Sequence, residues 1–359
     1  MAYLSEDKIA AIVEQVVAKL QQDPTPARAE VQPPYGCDPR RSMRPEAPVA
    51  SRTQHTERGE AGVFVDLDAA VAAAREAFVR YVAMGLEARY RVIAAMREET
   101  SRHVETLARM AVEETGLGRV DQKIIKNRLV IAKTPGPEVL KTSARTGDDG
   151  LTLQEWAPFG VIGAITPTTN PTETVICNAI GMLAAGNAVV FNAHPGAKRV
   201  SAFTVQFLNK AIVGAGGPEN LVCCTKEPPI ELAQQLMRHP GVRLLVVTGG
   251  PGVVKEAMTS GKKVIAAGPG NPPVVVDESA DLEQAAEGIV KGVSFDNNIV
   301  CTAEKEIIAV AAIADRLKEL MARFGAYELS QEELARLEKV VIDGQGPNKN
   351  WVGKDATDR

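Results

Sequence analysis

The sequence predicts an α/β protein built on a parallel, Rossmann-type sheet, followed by a second and smaller α/β unit. Between residues 160 and 267, short apolar runs of strand length alternate with amphipathic stretches of helical period. Parallel strands need a crossover between them, usually a helix, and helices on both faces keep such strands apolar throughout. The glycine-rich turn TGGPG at 248–252 joins one strand to the next helix, as in nucleotide-binding sheets. With 359 residues, of which 45% are hydrophobic, the chain is long enough for two cores.

The first 22 residues predict one amphipathic helix. Apolar residues recur at helical spacing in SEDKIAAIVEQVVAKLQQD, and Ser5 is a suitable N-cap. Residues 23–60 are rich in Pro, Arg, Glu and Gln and contain hardly an aliphatic residue to bury, which predicts a disordered linker. A helix on such a tether either docks back on its own domain or binds another protein, and the residues leave both alternatives open.

Residues 61–266 form the predicted cofactor-binding domain. Residues 62–134 have a helical pattern, with alanine-rich periodic stretches at 68–84 and 87–114. Residues 141–157 contain a Gly-Asp-Asp-Gly turn before alternating leucines, which predicts a β-hairpin. The strands of the sheet are expected at 160–165, 188–191, 221–224, 243–248 and 263–267, with helices at 171–183, 197–213, 229–238 and 252–259 between them.

Residues 267–359 form the predicted catalytic domain. Its expected elements are strands at 273–277 and 306–310 and helices at 281–293, 312–324 and 330–341, and the last residues are polar and glycine-rich. The loop between the first helix and the second strand carries Cys301. So few strands leave a sheet open, and we therefore expect this domain to be incomplete.

The composition argues against several classes of protein. The net charge is −4 and Lys and Arg are spread along the chain, so no surface for nucleic acid or an anionic membrane is predicted. No apolar run reaches the ~20 residues of a membrane span, and no signal pattern begins the chain. The five cysteines form neither a disulfide framework nor a C-x-x-C pair, which favours a soluble protein of the reducing cytoplasm. A P-loop and a G-x-S-x-G elbow are absent, and the four histidines are not spaced as metal ligands.

Cys301 is the candidate nucleophile. It follows the polar turn Asp296-Asn297-Asn298 in SFDNNIVCTAEKE, so we expect it to be presented at the surface of a site rather than packed. Backbone N–H groups of that turn would favour its thiolate form. Cys177, Cys223 and Cys224 lie in apolar helix and strand patterns and are expected in the core.

Other candidate site residues follow the predicted strands, at the edge where open parallel sheets bind ligands. Asn170 in ITPTTNPTE has an amide that can donate to a developing oxyanion, although Asn-Pro is also a common helix start. His194 lies in NAHPGAK, just past another strand. The backbone N–H groups of Thr248, Gly249 and Gly250 can face a pyrophosphate, although a glycine-rich turn without a ligand fits the pattern equally well.

Several motifs together resemble the CoA-acylating branch of the aldehyde dehydrogenase family over essentially the whole chain. They are TPTTNPTET (166–174), GMLAAGNAVVFNAHPGAK (181–198), VTGGPGVV (247–254), AAGPGNPP (266–273) and FDNNIVCTAEKE (295–306). Within the family the sequence most resembles the microcompartment propionaldehyde dehydrogenases of propanediol utilisation, with the acetaldehyde-acting members close relatives. The resemblance implies the aldehyde dehydrogenase fold, in which the predicted hairpin serves oligomerisation.

The resemblance also implies roles for individual residues. Cys301 would attack the aldehyde, Asn170 and the Cys301 N–H would form the oxyanion hole, and CoA would resolve the resulting thioester. The residues expected to bind NAD are Thr166, Pro167, His194, Thr248, Gly249, Gly250 and Gly268.

The sequence departs from the family pattern at three points. Asn192 stands where many hydrolytic members have a Lys that holds the adenosine ribose. Ala266 stands where hydrolytic members have the Glu that activates water, which argues for acyl transfer to a thiol. Finally, the family continues beyond residue 359 with further catalytic-domain residues, so a truncated chain is expected.

The resemblance therefore implies a cytoplasmic, NAD-dependent enzyme packaged in a bacterial microcompartment. Propionaldehyde is the favoured substrate, acetaldehyde is the alternative, and coenzyme A is the co-substrate. Residues 5–20 would bind a shell protein, and the full-length form would be a homo-oligomer. A rival interpretation is an inactive remnant that binds the cofactor or the shell without turnover.

Overall fold

The computed structural model describes residues 60–344 and 346–356. The helix predicted for residues 1–22 and, apart from residue 60, the linker predicted for 23–60 lie outside the described residues. The six strands of the main sheet are β1 (Val63–Phe64), β4 (Val161–Ile165), β5 (Ala188–Asn192), β6 (Val222–Thr225), β7 (Leu244–Thr248) and β8 (Lys263–Ala267). All of their pairings are parallel, in the order β1-β6-β5-β4-β7-β8. The predicted α/β fold with a parallel sheet is therefore confirmed.

Helices cover this sheet because, after each parallel strand, the chain must cross back through a connection, usually a helix, before the next strand begins. The helices of this part of the chain are α1 (Leu67–Ala83), α2 (Gly85–Thr115), α3 (Val120–Lys133), α4 (Pro171–Ala184), α5 (Lys198–Gly214), α6 (Ile230–Arg238) and α7 (Pro251–Met258). Every residue of β4, β5 and β6 is buried, so these strands form the centre of the core. Chain order reverses on either side of β4, with β5 beside it in one direction and β7 in the other. That switch is where an open parallel sheet leaves a crevice at its carboxyl edge.

One prediction for the sheet was wrong. Val63 and Phe64, which were assigned to a helical segment, form the edge strand β1 and pair with Cys224 and Thr225 of β6. The Cys224 N–H donates to the Gly62 carbonyl at 2.9 Å, which begins the ladder. Gly62 has a φ of +90°, and this turn separates the strand from the residues before it. A two-residue strand is too short to produce a period in the sequence.

The second unit is a smaller layer of strands and helices. It contains the parallel pair β9 (Pro273–Val276) and β10 (Glu306–Ala309), the helices α8 (Leu282–Ser294), α9 (Ala311–Arg323) and α10 (Gln331–Val341), and the short ribbon β11 (Ile342–Asp343) and β12 (Gly346–Pro347). Its own small core contains Val276, Ala286, Ile289, Leu317 and Leu320. The Cys301 loop, which we define as residues 295–305, connects α8 to β10.

The predicted hairpin is present as strands β2 (Ser143–Gly147) and β3 (Gly150–Gln154), joined by Asp148 and Asp149. Every residue of both strands is exposed. The hairpin is confirmed as an element, and its role in oligomerisation stays a prediction. Within the part of the chain that the structure describes, no helix has both the length and the apolarity that a bilayer crossing requires.

Candidate active site

The Cys301 loop begins with three consecutive residues in the left-handed region. Asp296, Asn297 and Asn298 have φ values of 48°, 53° and 57°. This region costs most L-residues roughly 1–2 kcal/mol each, and Asp and Asn tolerate it best because their short polar side chains bond locally. The polar triplet is therefore the sequence that this backbone requires. Such local strain persists only where the surroundings fix it, as at functional sites.

Polar contacts fix the two ends of the loop to each other. The Asn298 amide nitrogen donates to the Val293 carbonyl at 2.7 Å and to the Glu304 carbonyl at 3.1 Å. The Lys305 ammonium donates to the Asn298 side-chain oxygen and to three backbone carbonyls of the loop. Desolvation lowers the pKa of Lys305, whereas the nearby Cys301 and Glu304 raise it. Lys305 thus closes the loop that carries Cys301.

Cys301 is partly exposed on this loop, as expected for a presented thiol. Its carbonyl oxygen lies against Gly270, where any Cβ atom would overlap it. Cys223 and Cys224 are buried as predicted, and burial raises the pKa of the Cys224 thiol to about 12. The prediction that Cys177 lies in the core was wrong, because it is exposed. It lies on the stripe of α4 that carries the exposed Gly181 one turn later, within an otherwise apolar helix.

Asn170 occupies the N-cap position of α4, but its side chain makes no capping hydrogen bond. Its Oδ1 atom instead accepts a 2.6 Å hydrogen bond from the Lys126 ammonium. Its amide nitrogen donates to the Thr169 hydroxyl at 3.3 Å, which is a long bond. Asn170 is therefore the N-cap residue of α4 by its position in the chain, but its side chain does not cap the helix.

A buried cluster of charges links α3 to the Cys301 loop. The Asp296 carboxylate accepts from the Arg119 backbone N–H at 2.8 Å, from Lys123 at 3.3 Å and from Lys126. Lys126 also forms an ion pair with Glu173 at 3.3 Å. The side chains of Lys123 and Asp296 are fully buried. Burial and then the charge of Lys126 lower the pKa of Lys123, while Glu173 and Asp296 raise it.

Sequence reasoning missed this cluster, although it left a signal. Lys123 and Lys126 are spaced as one face of a helix, and that face continues to the buried Asn127 and Ile131. Two lysines on a buried stripe need carboxylate partners, since burying unpaired charge is very costly. The structure supplies Asp296 from far along the chain. Through Lys126, the Cys301 loop and the side chain of Asn170 are bonded to one and the same ammonium group.

The residues predicted to bind the cofactor lie where β4, β5, β7 and β8 end. Thr166 and Pro167 follow β4, His194 follows β5, Thr248 ends β7 and is followed by Gly249 and Gly250, and Gly268 follows β8. The structure thus brings them to one edge of the sheet, with the Thr166 and Thr248 segments on the two strands that flank the switch in strand order.

Two observations at this edge fit a bound nucleotide. The buried Thr166 hydroxyl has no hydrogen-bond partner among the described residues. A Cβ atom at Gly250 would meet nothing within 4 Å, so the fold itself does not require glycine there. Close approach of a ligand to the backbone is a separate reason for glycine. His194 is exposed just past β5 and accepts a 3.1 Å bond from the Gly196 N–H through Nδ1, and partial desolvation lowers its pKa.

Comparison with known proteins places these motifs in context. A model of the aldehyde dehydrogenase family matches residues 46–331. A propanal dehydrogenase (CoA-propanoylating) from Citrobacter freundii is 48% identical over 293 residues, which cover 82% of this chain and 64% of the relative. An acetaldehyde dehydrogenase (acetylating) from Escherichia coli is 51% identical over 306 residues, covering 83% of this chain and 65% of the relative. This chain therefore spans less than two thirds of the length of these curated relatives.

A solved structure is similar over a comparable share of the chain. A propionaldehyde dehydrogenase from the Clostridium phytofermentans fucose utilisation bacterial microcompartment is 52% identical, with a TM-score of 0.80. The match covers 83% of this chain and 68% of that structure. The likeness thus extends over most of this chain.

Proposed function

Because this chain belongs to the aldehyde dehydrogenase family, we propose that it is the nucleophile-bearing part of a CoA-acylating aldehyde dehydrogenase. The enzyme oxidises a short-chain aldehyde with NAD and coenzyme A to acyl-CoA and NADH. One observation carries the proposal. Cys301 is partly exposed on a strained loop whose Asp296 shares the Lys126 ammonium with Asn170. The loop that bears the nucleophile and an amide donor are thus bonded to one ammonium group, and a nucleophile with an amide donor are the parts that acyl chemistry needs.

In this mechanism the Cys301 thiolate adds to the aldehyde carbonyl carbon and forms a thiohemiacetal. The Asn170 amide and the Cys301 N–H donate to the oxygen as its negative charge develops. NAD, when bound, supplies the acceptor for the hydride that leaves this carbon. Collapse to the carbonyl gives a thioester on Cys301. The CoA thiolate then attacks the thioester carbon, and Cys301 leaves as a thiolate.

The residue at position 266 supports CoA, rather than water, as the acyl acceptor. Ala266 lies in β8 and exposes a methyl group where hydrolytic members carry a general base. General-base assistance is typically worth about 10²–10⁴-fold. Without it, water attacks the thioester slowly and a thiol has time to react. We expect free acid to form slowly when CoA is omitted.

The cofactor is assigned to the carboxyl edge of the sheet. We propose that Thr248, Gly249 and Gly250 lie against the pyrophosphate at the start of α7. The Gly249 N–H itself donates to the Ala267 carbonyl at 3.1 Å, so this glycine allows close approach of the ligand rather than a hydrogen bond to it. Thr166, Pro167, His194 and Gly268 line the same cleft. NAD is proposed over NADP, and measuring both cofactors separates them.

The relatives support the proposals for the substrate and the cellular setting. Propionaldehyde is the proposed substrate, and acetaldehyde is the competitor because relatives named for either aldehyde are about equally similar. We further propose that the protein is packaged in a microcompartment through residues 5–20, since one similar structure comes from a microcompartment. Values of kcat/KM for propionaldehyde and acetaldehyde, measured side by side, decide which of the two is the preferred substrate.

The principal test is the Cys301→Ala variant, assayed by NADH formation with propionaldehyde, NAD and CoA. Loss of the nucleophile is expected to reduce the rate by about a thousandfold or more. Cys177→Ala is the matched control, because that thiol is exposed on α4 and is expected to leave the rate unchanged. Persistent turnover in Cys301→Ala contradicts the proposal. NAD binding without turnover in the wild type would instead support the inactive remnant.

A further inference from the structure

The contact between Lys126 and Asn170 has a direction. An ammonium group is only a donor, so it bonds the oxygen of a carboxamide and never its nitrogen. Lys126 therefore fixes which end of the Asn170 amide faces α3 and which end faces away. One N–H of that amide is used in the long bond to Thr169, which leaves the other for a ligand oxygen.

The position of Asn170 makes this constraint necessary. At an N-cap, an Asn side chain ordinarily turns its oxygen to the free N–H groups of the first helical turn. Asn170 does not do so, although it occupies the N-cap of α4. The charged donor on Lys126 offers a stronger bond than a neutral N–H group and holds the oxygen on the other side.

Lys126 is itself held by the loop that carries Cys301. Asp296 is fully buried and bonds Lys126, Lys123 and the Arg119 N–H. Its carboxylate thereby lies at the start of α3, whose N-cap residue, Arg119, makes no side-chain capping bond. A methyl group at Gly118, where φ is +74°, would overlap this carboxylate. The Cys301 loop and the lysine therefore have a fixed relation to each other.

We propose that Lys126 is a positioning residue of the active site. Its ammonium orients the Asn170 carboxamide so that the amide N–H is directed to the substrate oxygen, and Asp296 sets this orientation from the Cys301 loop. The inference rests on the proposed function, because it assumes that Asn170 stabilises an oxyanion. A purely structural ion pair is the alternative, and apolar replacement of such a pair is often tolerated.

Two reactions at Cys301 distinguish the alternatives, and neither needs NAD or CoA. With p-nitrophenyl propionate, the thiolate attacks the ester carbon through an oxyanion, p-nitrophenolate leaves, and Cys301 is acylated. With iodoacetamide, the thiolate displaces iodide and no oxyanion forms. Both products are measured at Cys301 by peptide mass spectrometry in the purified protein.

For Lys126→Met we expect acylation to slow by about tenfold to a hundredfold, somewhat less than the loss of a whole oxyanion donor. Alkylation is expected to keep its wild-type rate, because it does not use Asn170. Lys133→Met, at an exposed site on the same helix, is the matched control and is expected to change neither rate. If Lys126→Met does not fold, Lys126→Gln replaces it, since a neutral amide no longer dictates the orientation of Asn170.

The decisive comparison is made in the Asn170→Ala background. If Lys126 acts through Asn170, adding Lys126→Met to Asn170→Ala causes no further loss of acylation. A further loss, or equal slowing of acylation and alkylation, overturns the inference in favour of a structural role. The inference is also overturned if Lys126→Met is acylated at the wild-type rate while Asn170→Ala is acylated slowly. If Asn170→Ala itself acylates at the wild-type rate, the oxyanion role in the proposed function fails as well.

Discussion

At the residue scale, the placement of Cys301 depends on the absence of a side chain at Gly270. Gly270 follows β8, and its backbone lies against the Cys301 carbonyl oxygen. Its φ is not in the left-handed region, so the need for glycine here is steric and not conformational. Backbone atoms cannot move aside as a flexible side chain can. A side chain at this position must therefore displace the loop.

We expect Gly270→Ala to lower NADH formation by at least about tenfold, because a shift of roughly 1 Å in a nucleophile has large effects on rate. Gly288→Ala is the control, since its Cβ atom on α8 would meet nothing within 4 Å. Steady-state rates of the two variants, with far-UV circular dichroism to verify folding, provide the measurement. Wild-type activity in Gly270→Ala would show that the loop tolerates displacement.

Residue-level prediction succeeded where the signal was local. The polar turn before Cys301 identified a presented thiol, and the structure leaves that thiol partly exposed. Lys126 and Asp296 escaped prediction because their pairing joins residues far apart in the chain. Cys177 was misplaced because the helix around it is apolar on nearly every side, so composition could not identify the exposed stripe.

At the element scale, α10 depends on its own ends more than on packing. None of its residues is buried, so its N-terminal capping box is prominent among its stabilising contacts. The Ser330 hydroxyl accepts from the Glu333 N–H, while the Glu333 carboxylate accepts from the Ser330 N–H at 2.8 Å. The Tyr327 hydroxyl donates to the same carboxylate at 2.9 Å. These bonds to Ser330 and then to Tyr327 lower the pKa of Glu333.

We expect Ser330→Ala to speed amide hydrogen exchange in α10 by about fivefold, because loss of an N-cap typically removes this much local stability. Glu332→Ala, in the same turn but outside the capping box, is the control and is expected to have a smaller effect. Exchange followed by mass spectrometry compares the two. Equal effects would show that the box does not hold the helix.

Most elements were predictable to within a residue or two because their periods were clear. The helix α3 was the exception among the helices. Its residues were included in one long helical region, although glycines at 116 and 118, both with positive φ, separate it from α2. This break matters for the site, because it directs the start of α3 and its two buried lysines to the Cys301 loop.

At the scale of the whole molecule, the hairpin β2–β3 is notable because every residue of both its strands is exposed. Leu151 and Leu153 have exposed fractions of 63% and 64% and lie on one face of the ribbon, opposite Thr146 and Ala144. An isolated two-stranded ribbon is marginal in water, and unpaired edges invite pairing with another chain. The ribbon therefore suits the predicted contact between subunits.

We expect the wild-type protein to self-associate, and the double variant Leu151→Ser, Leu153→Ser to shift towards the monomer mass. Light scattering coupled to size-exclusion chromatography measures both. Val79→Ser is the control, because that side chain is equally exposed at 61% but lies on α1. An unchanged mass for the double variant would remove the hairpin from the interface.

The order of strands in the sheet also indicates the order in which they form during folding. Neighbouring strands β4 and β5 are close in sequence, whereas the edge strand β1 pairs with β6 from the far side of the helical region. Contacts between residues far apart in the chain form slowly, because the entropy of closing the long loop is lost before the contact stabilises it. Parallel sheets depend on such contacts and therefore fold slowly. We infer that β4, α4 and β5 assemble early and β1 is added late. The strand that sequence periodicity overlooked is then also the last to acquire its partner as the protein folds.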